Sequence, residues 1–168
     1  MSQSQIINLD EKRDFEVNSS NLKHVRSFCR EVFGKLNIKT GELVFINAGH
    51  ESILTFDENK NYEYIKSEMP PIGIVKYFTE TMVKSNTINL KDKTFVVYTD
   101  GVTEGYMKNG EELGAEGVQK IINEMSQVTP KSIVEAIEKE LNWGAEKLRD
   151  DITCMAININ NTELIKKK

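Results

Sequence analysis

Residues 94–104, TFVVYTDGVTE, end an apolar run on a polar Thr-Asp-Gly step and add a second acid behind it. Such a run reads as a strand that delivers Asp100 to a sheet edge, with Gly101 letting the backbone turn sharply beneath it. A carboxylate held there is a natural ligand for a hard cation such as Mg²⁺ or Mn²⁺. A second acidic pair, Asp150-Asp151, opens the last apolar stretch, residues 152–159. The competing reading of both motifs is a solvated turn, since Asp-Gly and Asp-Asp are common surface punctuation. Asn47-Ala48-Gly49-His50 follows another apolar run and reads as a turn. His is the usual base near neutral pH, yet a packed or hydrogen-bonded turn His50 is the simpler account. Glu104 either supports a metal shell or is a solvated acid. His24 reads as a surface residue, and Trp143 as core or edge.

These side chains need elements to place them. Residues 15–17 suit a short strand, and Asn18-Ser19-Ser20 suit a helix N-cap. Leu22, Val25, Phe28, Cys29, Val32 and Leu36 recur at helical spacing, which predicts a helix from about Asn21 into the low thirties. Thr40-Gly41 turns into a strand over 43–47. Residues 53–56 and 62–65 flank Asp57-Glu58-Asn59-Lys60-Asn61 as a hairpin with a longer loop. Residues 69–73 form a proline-stiffened loop, 78–90 an imperfectly alternating strand, and 94–99 the strand carrying Asp100. Beyond it the period changes. Val118, Ile121, Ile122 and Met125 mark one helix. Thr129 as N-cap and Pro130 at the first helical position start the next, with Ile133, Val134, Ile137 and Leu141 on its apolar face. Residues 142–148 cross to the closing strand. Strands first, then two helices and a strand, make an α+β layered domain.

At 168 residues the chain suits one domain with a real core. Hydrophobic residues at 39% and charged residues at 29% are those of an ordinary globular protein. A net charge of −4 supplies no general basic surface, so nucleic acid is not an expected partner. No apolar run reaches bilayer length and the first residues lack the apolar core of a signal peptide, so the expectation is a cytoplasmic protein without membrane attachment. Cys29 and Cys154 match no metal or redox spacing and read as buried thiols of a reducing compartment.

Five strings in one order, NAGH at 47–50, PPIG at 70–73, YTDGVTE at 98–104, LGAEGV at 113–118 and DDIT at 150–153, resemble the second half of the SpoIIE/RsbU-type branch of the PPM metal-dependent protein serine/threonine phosphatases. The resemblance runs from about Phe33 to Ile159. It implies a partial PPM-type α/β sandwich, an antiparallel sheet with two adjacent helices on one face. It also implies a binuclear site of Mn²⁺ or Mg²⁺ held by aspartates, at which water attacks a phosphoserine or phosphothreonine without a phospho-enzyme intermediate. By that pattern Asp100 and Asp150, with Asp151 as its neighbour, are metal ligands, and Asn47, Gly49, His50 and Gly101 shape the turns of the site. The implied substrate is a phosphorylated anti-sigma-factor antagonist in bacterial partner-switching.

The family's first-half strings, GD-x-YD and DVSGHG, have no counterpart before Phe33, where Asp10, Glu11, Asp14 and Glu16 lie in a charged run. Activity is therefore expected to be impaired, and the alternative function is a non-catalytic phosphatase-like binding module. Missing inner strands would leave an apolar edge and permit a homo-oligomer. The division by sequence is residues 1–32 as an N-terminal extension, 33–160 as the phosphatase-like domain and 161–168 as a basic tail. Residues 13–32 faintly resemble the opening strand and helix of anti-sigma-factor serine kinases. A competing frame makes SFCREVFGKLNIKTG, residues 27–41, the family's strand before NAGH.

Overall fold

The computed structural model describes residues 30–75, 79–141 and 151–159. Within them the order is β1 (Glu31–Leu36), β2 (Glu42–Ala48), β3 (Ile53–Phe56), β4 (Tyr62–Ile65), β5 (Asn86–Asn89), β6 (Thr94–Tyr98), α1 (Asp100–Thr103), α2 (Gly114–Glu124), α3 (Pro130–Leu141) and β7 (Cys154–Ile157). Strands β1-β2-β5 form one antiparallel sheet and β4-β3-β6-β7 a second.

The central strands β3 and β6 explain the layering, because side chains alternate faces along a strand and both faces here are apolar. Ile53 and Phe95 join Leu43, Phe45 and Leu90 in a core between the two sheets. Phe45 and Phe95 meet there edge to face with centroids 5.0 Å apart. Leu54, Phe56, Val96 and Tyr98 instead face Val118 and Ile122 of α2 and Ile133, Ile137 and Leu141 of α3. Each such side chain, wholly removed from water, stabilises the fold by about 1.5–3 kcal/mol before chain entropy is set against it. The layers are sheet, sheet and helix pair, with α2 and α3 side by side on one face.

Local chemistry sets the helix ends. Thr129 Oγ1 accepts from the Ser132 N–H at 3.1 Å, while the Thr129 N–H donates to Ser132 Oγ at 2.9 Å, a reciprocal cap with Pro130 at the first helical position. The C-terminus of α2 is closed by Lys60, whose Nζ donates to the carbonyls of Ile122, Asn123 and Met125 at 3.0, 2.9 and 3.3 Å.

Three sequence expectations change. The low thirties, expected to end a helix, belong instead to strand β1 (Glu31–Leu36), paired along its whole length with β2 from Glu31↔Ala48 to Leu36↔Leu43. Val32 and Leu36, both packed against the inter-sheet core, lie four apart, a spacing that satisfies a helix and a strand alike. Cross-strand pairing decides for the strand, and the competing frame for residues 27–41 is the one that agrees with it. β1 also crosses position 32, where the sequence division ends its N-terminal extension. The long strand over 78–90 is only β5, preceded by a 3-10 turn at Glu80–Met82. The alternation of Asn86-Thr87-Ile88-Asn89 supports pairing where the earlier residues do not. The closing strand is Cys154–Ile157 rather than 152–159. The expectations for residues 15–17, for the helix up to residue 29, for Cys29, His24 and Trp143, and for the 142–148 crossing lie outside the described residues.

Candidate metal centre

Strand β6 is almost wholly buried and ends at Tyr98, so the next residues emerge at a rigid sheet end. Thr99 is extended and precedes the single helical turn α1. Its N–H donates to the Thr153 carbonyl at 3.0 Å, and its Oγ1 accepts from the Thr153 N–H and donates to the Asp151 carbonyl, both at 3.0 Å. One threonine thus continues the β6–β7 ladder beyond its last register pair, Tyr98↔Cys154. The backbone of Asp151 and Thr153 is thereby fastened beside Thr99, the residue before Asp100.

Asp100 opens α1. Its Oδ1 accepts the Gly101 N–H at 3.0 Å, while Oδ2 faces the Arg30 guanidinium, Nη1 at 3.4 Å. Gly101 is buried beneath it, and the Thr103 hydroxyl and Glu104 N–H donate to the Asp100 carbonyl at 3.1 and 2.8 Å. The Asp100 side chain remains 37% exposed. Asp151 is exposed and Asp150 lies outside the described residues. Glu104 closes α1 with its side chain at the surface.

Beneath these acids Tyr98 is buried and Cys154 half-buried. Burial pushes the Cys154 thiol up to about 11. Tyr98 is raised well above the usual phenol range by burial, with Tyr64, Glu51 and Cys154 adding to it.

The NAGH turn is built differently. Asn47 is 2% exposed, its Oδ1 accepts the His50 N–H at 2.9 Å, and its Nδ2 donates to the Glu51 carbonyl at 3.0 Å. The Gly49 N–H donates to Ser67 Oγ at 2.7 Å, and that hydroxyl faces the carbonyls of Asn47 and Met69 at 2.9 and 2.7 Å. Gly49 is at φ +74°, and a Cβ there would clash with Pro71 Cγ. His50 is half-buried, and its Nδ1 meets no hydrogen-bond partner among the described residues.

A half-exposed carboxylate at a strand end is the right donor type for a hard oxygen-seeking cation. Among the described residues no three His, Cys, Asp or Glu side chains converge. Sequence reasoning missed Arg30, Ser67, and the pairing of Thr99 with Thr153. A threonine just before Asp100 and another two residues after Asp151 were the only local signal for the last of these. Arg30 and Ser67 carry none.

The chain matches the family model described as Stage II sporulation protein E (SpoIIE) over residues 7–160. It is 26% identical over 140 residues to Protein IcfG of Synechocystis sp., covering 79% of this chain and 21% of that protein. It is 26% identical over 85 residues to phosphoserine phosphatase RsbP of Bacillus subtilis, covering 50% of this chain and 20% of that protein. The chain therefore spans about a fifth of the length of the curated relatives it matches. Its fold is shared with the manganese-presoaked phosphatase domain of the cell-fate determinant SpoIIE from Bacillus subtilis, with a TM-score of 0.56 and 14% identity over 78% of this chain and 56% of that one.

Proposed function

The chain belongs to the SpoIIE family of PPM-type phosphatase domains, and on that premise we propose that it is a divalent-metal-dependent protein serine/threonine phosphatase domain. Asp100, Asp150 and Asp151 would hold Mn²⁺ or Mg²⁺. The observation that carries this reading is the Thr99 fastening, which holds the backbone of Asp151 and Thr153 beside the residue that precedes Asp100. The bound metal supplies Lewis-acid activation of water for attack on a phosphate ester.

The protein's own part is placement. Buried β6 fixes where Asp100 emerges, and the Gly101 N–H orients one carboxylate oxygen. The Thr99–Thr153 pair keeps the second acidic segment within reach, and the closed NAGH turn supports the neighbouring sheet end. The substrate class in this reading is a phosphoserine protein, specifically a phosphorylated anti-sigma-factor antagonist of a partner-switching system. The phosphoserine phosphatase RsbP among the relatives supports the phosphoserine part. A cytoplasmic site of action belongs to the same reading. Among the described residues no helix is long and apolar enough to cross a membrane. Phe33 and Val44, exposed on neighbouring strands β1 and β2, support self-association, which light scattering would test.

Turnover by the 168-residue chain alone is expected to be weak, because two or three carboxylates on one side hold a dication loosely. A missing bridging ligand costs several kcal/mol of transition-state stabilisation, on the order of hundreds-fold in rate. The test is hydrolysis of a phosphoserine protein and of p-nitrophenyl phosphate with and without Mn²⁺. Weak metal-dependent turnover lost in Asp100→Asn supports the proposal. Brisk turnover lost in that variant would remove the impairment while keeping the phosphatase. Phosphoprotein binding with no turnover under any metal would make the chain a binding module instead.

A further inference from the structure

Arg30 is the last residue before β1, and the register of β1 on β2, Glu31↔Ala48, fixes where it leaves the sheet. It emerges at the end of the sandwich where β6 delivers Asp100, seventy residues away in sequence. Its Nη1 lies 3.4 Å from Asp100 Oδ2, with the two side chains 59% and 37% exposed. The other carboxylate oxygen is already held by the Gly101 N–H. The guanidinium therefore faces the oxygen that the backbone leaves available, and it does so from the other sheet. One long, exposed, single-atom contact is a weak ion pair, worth at most about 1 kcal/mol. It can be displaced, yet it is a full positive charge placed at a carboxylate that has no other charged partner among those described.

We propose that Arg30 is an internal counter-cation of Asp100 that competes with the divalent metal and lowers its affinity. This rests on the reading of Asp100 as a metal ligand. A dication arriving at Oδ2 must both displace the guanidinium and tolerate its charge nearby, two penalties that act in the same direction. Arg cannot lose its proton to relieve either of them. The contact is weak enough that metal still binds once its concentration is sufficient, so Arg30 sets a threshold rather than a block.

The experiment is calorimetric titration of the full chain with Mn²⁺ alone, without substrate. Arg30→Gln is expected to tighten Mn²⁺ binding by about twofold to fivefold, the range a weak ion pair can shift. Arg30→Met, which keeps the apolar stem, should do the same, and Arg30→Lys should stay near wild type. Asp100→Asn should lose the binding, and Arg30→Gln should not restore it in the double variant. If Asp100→Asn abolishes binding while both neutral Arg30 variants, folded by circular dichroism, bind as the wild type does or more weakly, the counter-cation role is overturned and the metal reading stands. If Asp100→Asn binds as the wild type does, the metal reading falls and takes this inference with it.

Discussion

The NAGH turn and the TDG turn sit at sheet ends and carry the same glycine signature, but they are closed to different degrees. At the first, Asn47 spends its side chain on two backbone groups, Ser67 gathers three more, and Gly49 is wedged against Pro71. Both polar atoms of Asn47 are engaged with backbone, and the side chain is buried. At the second, the backbone is equally well held by Thr99, Thr153 and the α1 turn, but the carboxylate of Asp100 stays partly in water beside a displaceable guanidinium. A buried, satisfied polar residue serves architecture, whereas an exposed anion on a rigid mount is available for chemistry.

Replacing Gly49 with Ala is the most disruptive way to probe that contrast. The added Cβ meets the Pro71 ring at a left-handed backbone position, and about 4 kcal/mol of unfolding free energy should be lost. Urea denaturation monitored by far-UV circular dichroism measures it, and a loss below about 1 kcal/mol would show that the turn relaxes easily. Asn47→Ala comes next. It leaves the His50 N–H and the Glu51 carbonyl without their partner at a buried position, for an expected loss of about 3 kcal/mol by the same measurement.

The half-buried thiol of Cys154 and the buried Tyr98 beneath Asp100 give a pH signature of intermediate size. Below the ordinary thiol value of 9.0, Cys154 is neutral in both folded and unfolded chains, so its contribution is fully present. Between that value and about 11 the unfolded chain ionises while the folded one does not, so stability falls as pH rises through this window. The loss should be on the order of 2 kcal/mol. Tyr98, raised in the same sense, extends the decline to higher pH. Cys154→Ala should flatten the 9-to-11 segment of a stability–pH series. If the slope persists unchanged there, the thiol is wetter than its position in β7 implies.

Asp100→Asn should have the smallest effect on folding. Losing one exposed ion pair should change stability by less than about 1 kcal/mol, while Mn²⁺ affinity drops at least tenfold. A melting temperature that falls as far as it does for Asn47→Ala would erase the distinction between the two turns.

Much of this arrangement was legible before any coordinates. Apolar runs ending in glycine turns named both sheet ends, and residues 53–56 and 94–99 read as strands, as β3 and β6 prove to be. Thr129-Pro130 announced a helix start that the structure caps reciprocally. The failures share one cause. Val32 and Leu36 obey both periods, so only pairing with β2 could decide their conformation. Residues 79–83 carried enough apolar character to pass for a strand until no partner met them.

Residue type and short-range spacing therefore determined by themselves where the chain turns at 47–50 and 99–101, that 53–56 and 62–65 form a hairpin, and that Asp100 stands at a strand end, because sterics and hydrophobic periodicity act over a few residues. The meeting of Arg30 with Asp100, the joining of Thr99 to Thr153, and the Ser67 clamp on the NAGH turn were decided only by tertiary structure. Each spans 18 to 70 residues of sequence. Such contacts depend on strand order, register and sheet stacking, which long-range burial selects and no local pattern encodes.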